Sequence, residues 1–278
     1  MNVLKRIFNF YLNSSVHVAF AALALAWVTL IELNLKFDKE LLYFVFFATI
    51  TGYNFVKFFG VAKFHHRSLA GWLKSIQVFS LFAFFAMSYY LFQLKLNTLV
   101  CIAVLGVITF FYAIPIMIPK HYLFDDHKNL RQIGGLKVYL IALIWTVTAV
   151  VLPVVNQDYE INTDVLIIGL QRLCYVLVLM FPFEIRDLNY DSLKLATIPQ
   201  KIGVKKTKVI GVSLLAIFFM LDFFKDELVA DTVLSTLLIT SVTLLLLLFS
   251  NKNQSKYYSA FWVESLPIVW LLILFLFA

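Results

Sequence analysis

The stretch FEIRDLNYD, residues 183–191, follows the nearly uninterrupted apolar run VLIIGLQRLCYVLVLMFP. If a helix continues through it, Glu184, Asp187 and Asp191 stand at i, i+3 and i+7 and share one face. Three like charges on one face repel one another unless a cation or ligand lies between them. Carboxylate oxygens suit Mg²⁺, which takes one or two of them and completes its shell with water and phosphate. Arg186 and the downstream Lys194, Lys201, Lys205 and Lys206 are placed to balance phosphate charge from the other side. The competing reading is a helix end solvated by acids and bases. An apolar segment leading straight into the acids, and a basic loop following them, favour a metal–phosphate site.

The elements that must position these residues are set by composition. Hydrophobic residues make up 62% of the 278 and charged residues 14%, against about 25% charged in ordinary soluble domains. Roughly 20 apolar residues cross a bilayer core as a helix. On that length nine segments are expected to span: about 14–33, 40–59, 73–93, 98–119, 136–155, 164–183, 207–224, 230–250 and 258–277. The fold class is therefore an all-α, polytopic membrane bundle of about nine transmembrane helices, a single domain over residues 1–278. The first apolar run is expected to be a retained span rather than a signal peptide, since no small-x-small site ends it. Cys101 and Cys174 lie inside apolar segments without metal-ligand spacing.

Charge is sided. With the N-terminus placed in the cytoplasm, 18 Lys and Arg fall at inner connections and four, Lys36, Lys39, Lys95 and Lys225, at outer ones. That split predicts a cytoplasmic N-terminus, an external C-terminus and a polar site at the cytoplasmic face. The basic pI of 9.3 then reflects topology and membrane lipid headgroups, and gives no reason to expect nucleic acid as a partner. No P-loop, dinucleotide glycine pattern, HExxH or Gly-x-Ser-x-Gly elbow is present. Acids gathered at one face, rather than along a pathway, also argue against a transporter.

EIRDLNYD at 184–191 and TIPQKIG at 197–203, with FYAIPIMI at 111–118 and LKVYLIALIWTVTAVVLPVV at 136–155, resemble the UbiA-type intramembrane prenyltransferases. The resemblance covers most of the chain, and its specificity lies in 184–203. It implies a nine-helix bundle that transfers a prenyl group from a Mg²⁺-bound prenyl diphosphate to a lipophilic, often aromatic, acceptor. It implies Glu184, Asp187 and Asp191 as metal ligands, with Asp187, Asp191 and Arg186 in the catalytic set. Asn54, Lys57, Arg186, Lys194 and Tyr112 would bind substrate. The family's first acidic motif, Asn-x-x-x-Asp-x-x-x-Asp, falls on YNFVKFFGVAK, where Asn54 matches but Phe58 and Ala62 replace both aspartates and Lys57 adds a positive charge. Three readings stay open: an enzyme in which Lys57, with His65, His66 or Arg67, replaces metal charge; an enzyme that draws carboxylates from Asp125 and Asp126; or a catalytically silent isoprenoid-binding or scaffold protein.

Two further charges lie in apolar segments. Arg172 is about 18 Å deeper along its helix than Glu184, and Glu264 falls inside the last span. Ionisable groups at such depth need partners or water. Arg172 and Glu264 are expected to pair and pin the last helix to the sixth, with acceptor binding or proton removal as the alternative. His17 shows no partner in the sequence and is expected to be packed or hydrogen-bonded. The His65–His66 and Asp125–Asp126 pairs are expected to be solvated loop residues.

Overall fold

The computed structural model describes residues 3–62, 71–114, 135–189 and 197–277. His65, His66, Arg67, Asp125, Asp126, Asp191 and Lys194 lie outside the described residues. Among the described residues the chain is helical throughout, with no strand. Helices α1 (Val3–Asn13) and α2 (Val16–Glu32) meet at a 51° bend. Helices α3 (Lys39–Ala62) and α4 (Gly71–Leu91) pack side by side, and α5 is Leu96–Ala113. Helix α6 (Leu136–Thr146), a π turn (Val147–Val151) and α7 (Leu152–Asn156) form one run. Helix α8 (Thr163–Asp187) precedes the short α9 (Ile198–Ile202), and α10 (Val204–Met220) ends in a 3₁₀ turn (Leu221–Phe224). Helix α11 (Ala230–Phe249) is followed by a second π turn (Tyr258–Val263) and α12 (Leu266–Phe277).

Six of these stretches are long and apolar enough to cross a membrane, and a seventh if the bent α1–α2 pair is one span. The chain is a multi-pass membrane protein. The expected number of nine is not reached on this measure, although α3 and α4, at 24 and 21 residues, have the length of a span. Proline explains where the helices change gauge. Pro153 and Pro267 lie four residues after Ala149 and Val263, both inside π turns. A proline offers no N–H to that carbonyl and its ring crowds it, so the preceding turn widens.

Helix α8 is the central element. In its apolar window 61% of residues are buried inside the protein, against 17% in α5. Its Tyr175 meets Phe218 of α10 and Trp270 of α12, the three ring centroids standing 5.2 to 5.4 Å apart. Gly211 lets α10 approach closely: a methyl at that position would lie 2.5 Å from Leu247 Cδ2 and 3.1 Å from Phe181 Cδ2. Outward-facing Phe82, Phe85, Leu166 and Leu276 are exposed, as expected for side chains that meet lipid.

Arg172 does not pair with Glu264. Its guanidinium donates through Nη2 to Glu32 Oε2 at the end of α2 and lies 4.1 Å over the Trp270 ring. Lys225 Nζ stands 3.6 Å from the same glutamate and 2.6 Å from Asp222 Oδ1, which also accepts from Gln171 Nε2 at 2.9 Å. Depth explains the correction. Arg172 is level with Trp270 of α12, and Glu264 precedes Trp270 by six residues, about 9 Å towards the opposite end of the bundle.

Removing one member of a buried pair strands the other charge, at about 3–5 kcal/mol. Glu32→Ala is therefore expected to lower the thermal unfolding midpoint in detergent strongly, and an unchanged midpoint would count against this network. Gly211→Ala tests the α10 contact separately. Overpacking there is expected to destabilise by about 1–3 kcal/mol, which the same melting experiment reads.

Candidate active site

The site begins at a break in a helix. Between α1 and α2, Ser15 adopts a left-handed backbone conformation (φ 65°), and the break frees backbone carbonyls that water cannot reach in lipid. Side chains of α3 meet them. Asn54 Nδ2 donates to Ser14 O (3.0 Å) and to Ser80 Oγ of α4 (2.8 Å), while its Oδ1 accepts from Ser15 Oγ (2.8 Å). Asn54 is buried, and its amide is fully engaged by the protein. Lys57, one turn on, donates to Ser15 Oγ (2.7 Å) and to Asn13 O (3.4 Å). Asn54, predicted to touch substrate, thus fixes the serine that holds Lys57.

Lys57 looks into a cavity of about 700 Å³ between α2, α3, α4, α5 and the α6–α7 run. The walls are overwhelmingly apolar, with Phe44, Met87 and Leu105 among them, and the polar side chains include Tyr53, Lys57 and Tyr112 and the threonines Thr49, Thr51, Thr109 and Thr148. Trp145 Nε1 donates to Tyr53 Oη at 2.9 Å, and Tyr112 is buried in the wall within electrostatic reach of Tyr53. A mostly apolar chamber with convergent polar groups suits a ligand with a long hydrocarbon part and one polar head.

Two of the predicted acids, Glu184 and Asp187, lie in the last turn of α8 and have different partners. Glu184 is buried, and its Oε2 accepts the N–H of Ile198 (3.2 Å), tying α8 to the start of α9. There Thr197 and Gln200 form a capping box that closes the TIPQKIG turn. Asp187 is partly exposed, and its Oδ1 accepts from Arg186 Nε at 2.7 Å. Arg186 Nη1 donates to Ser259 Oγ (2.7 Å) in the second π turn. Among the described residues no three His, Cys, Asp or Glu side chains gather as metal ligands. The described carboxylates that fit Mg²⁺ by chemistry are two, and Glu184 is held by α9; the third, Asp191, lies outside the described residues together with Lys194.

Glu264 joins the two halves. It follows the second π turn, and its charge is felt by Lys57 and Tyr53 of α3, by Tyr11 of α1 and by Arg186 of α8. The nearby His17 is hydrogen-bonded, as expected: its ring bonds Tyr11 Oη (2.7 Å), Phe261 O (3.0 Å) and Ser265 Oγ (3.2 Å). Of the predicted set, Asn54, Lys57, Tyr112, Glu184, Arg186 and Asp187 thus fall towards one end of the bundle, the end where α3, α5 and α8 finish and the last helix begins. Residues the sequence reading passed over are Ser15, Tyr53, Trp145 and Ser259. The serine pair in NSS, set between two apolar helices, was the signal available for the first of them.

No family model and no curated protein matches the sequence. Solved structures do match in shape. A UbiA homolog from Aeropyrum pernix K1, in its apo form, superposes with a TM-score of 0.65 at 12% identity, covering 94% of this chain and 97% of that one. A structure of digeranylgeranylglyceryl phosphate synthase gives 0.57 at 14% identity, covering 98% and 97%. A UbiA homolog from Archaeoglobus fulgidus gives 0.55 at 9%, covering 97% and 98%. The chain has the UbiA-type fold over essentially its whole length.

Asn54→Ala is expected to destabilise the protein by about 1–3 kcal/mol, because Ser14 O and the Ser15 hydroxyl lose buried partners. Combined with Ser15→Ala the losses should fail to add, with a coupling of about 0.5–3 kcal/mol. Strict additivity in detergent melting experiments would show that the two residues act independently.

Proposed function

We propose that this chain is a membrane-embedded prenyltransferase, moving a prenyl group from a prenyl diphosphate to a lipophilic or aromatic acceptor with Mg²⁺. The observation that carries the reading is the apolar cavity of about 700 Å³ with Lys57 in its wall and Arg186, Asp187 and Glu264 at the same end of the bundle. The UbiA-type fold supports it. The prenyl chain occupies the apolar chamber and the diphosphate lies towards Lys57 and Arg186, with Lys194 a further contributor by its place in the sequence. Tyr53 and Tyr112 present ring faces and hydroxyls to the reacting end of the prenyl group, where ring π density favours a carbocation-like fragment. The walls exclude the water that would capture that fragment.

Asp187 and Asp191 would hold Mg²⁺, which when bound neutralises the charge that builds on the departing diphosphate. Glu184 serves that arrangement from behind, by fixing the 197–203 turn through Ile198. Lys57 supplies, at the first motif, positive charge where Phe58 and Ala62 provide no carboxylate to bring a second metal. The acids and Lys57 face the cytoplasm on the positive-inside pattern.

A second reading, a silent isoprenoid-binding protein of the same fold, is favoured by one observation: both aspartates of the first motif are replaced. Turnover separates the two. Purified protein given a panel of prenyl diphosphates and Mg²⁺ is expected to release diphosphate in the presence of a phenolic acceptor, and Asp187→Ala to lower kcat by about 10²–10³. Binding without turnover sinks the enzyme. Undiminished turnover in Asp187→Ala sinks the placement of the metal.

A further inference from the structure

Glu264 is an acid in a place that ought to repel the proposed substrate. Among the described residues its carboxylate makes no hydrogen bond and no ion pair within 4 Å, although it is only partly exposed and sits in the last membrane-spanning helix. Its surroundings come from several elements: Tyr11 on α1, Tyr53 and Lys57 on α3, and Arg186 on α8. His17 of α2 bonds the neighbouring Ser265, Asp187 bonds Arg186, and Tyr257 and Tyr258 precede it on its own element. Lys57 and Arg186 are the cations that act on the carboxylate, and both are held at a distance from it by other partners, Ser15 and Ser259.

The arrangement is a balance with one movable charge. With the Asp187 that pairs with Arg186 included, the group of Lys57, Arg186, Asp187 and Glu264 is neutral with Glu264 ionised and carries +1 with Glu264 protonated. A polyanion settling on Lys57 and Arg186 competes with the carboxylate for the same two cations and brings like charge towards it. In an environment of low dielectric constant such repulsion is relieved most readily by a proton on the carboxylate. We infer that Glu264 takes up a proton when a diphosphate binds between Lys57 and Arg186, so that the protein matches a highly charged headgroup without the carboxylates of the first acidic motif and their metal. The inference rests on the prenyl diphosphate reading above. It adds that headgroup binding is linked to pH through one named carboxyl group.

The sign follows from linkage. Binding raises the proton affinity of Glu264, so affinity is greatest where Glu264 is already protonated and falls as pH rises through its titration. The fall reaches about tenfold per pH unit where one whole proton is taken up. Glu264→Gln keeps the shape and fixes the neutral state, so this dependence disappears and the headgroup binds at least as tightly as to wild type at high pH.

The test is isothermal titration calorimetry of the detergent-solubilised protein with Mg²⁺, using inorganic pyrophosphate and geranyl diphosphate as probes. Each titration is run in two buffers of different ionisation enthalpy, which counts protons. The probes' own ionisation is common to wild type and variant, so the difference between them isolates Glu264. Wild type is expected to take up up to about one proton more than Glu264→Gln, with the wild-type-to-variant affinity ratio falling as pH rises. Equal proton counts and a flat ratio overturn the inference while leaving the diphosphate reading intact. If neither probe binds either protein, the diphosphate reading fails and this inference falls with it. Should Glu264→Gln fail to fold, Glu264→Ala, which leaves room for water, is read in the same way.

Discussion

A backbone group in hydrocarbon has no water to turn to, and every break in a membrane helix must be answered from within the protein. The bend at Ser14–Ser15 is such a break, and Asn54 and Lys57 answer it. The consequence runs outward from there. Because Asn54 ties the bend to α3 and, through Ser80, to α4, three elements are locked in register around one end of the bundle. That register sets where the Lys57 ammonium sits on the cavity wall. Asn54 thus bonds within the frame, and Lys57, which shares Ser15 with it, lines the chamber.

The two ends of the bundle handle charge by different rules. Around Arg172, every charge has an opposite within reach: Glu32, Lys225 and Asp222 form a closed set beneath the aromatic cluster of Tyr175, Phe218 and Trp270. Around Lys57 and Arg186 the set is more open: Arg186 pairs with Asp187, but Glu264 bonds to neither cation and Lys57 is held by Ser15 and a backbone carbonyl. A closed network holds helices together, whereas an open one has capacity for a visitor. This difference, more than the number of charges, marks one end as structural and the other as the candidate site.

Much of this was legible in the sequence, for identifiable reasons. The all-helical membrane architecture is written in long apolar runs, which need no partner to be recognised. EIRDLNYD stood out because its charges are contiguous and follow such a run. The partner of Arg172 was not legible: depth along a helix can be counted, but which neighbour stands at that depth depends on packing. Glu32 was read as the end of a span, and only the fold shows that end buried against α8. The sequence places Glu184 beside Asp187 and Asp191 as an expected metal ligand; its bond to the Ile198 N–H emerges only when α9 folds back. Asn54 and Ser15 are 39 residues apart, and no local pattern links them.

The Glu32–Arg172 pair also bears on how the chain enters its bilayer. An arginine in the middle of an apolar helix is a poor candidate for insertion on its own. Synthesis proceeds from the N-terminus, so α2 and its glutamate are in place before α8 emerges. The arginine then meets a carboxylate on arrival, and Lys225 joins later from the end of the 3₁₀ turn that follows α10. Chain order makes α2, the first expected span, a receptor for α8, the sixth, and gives it a role in biogenesis that its apolar composition alone does not suggest.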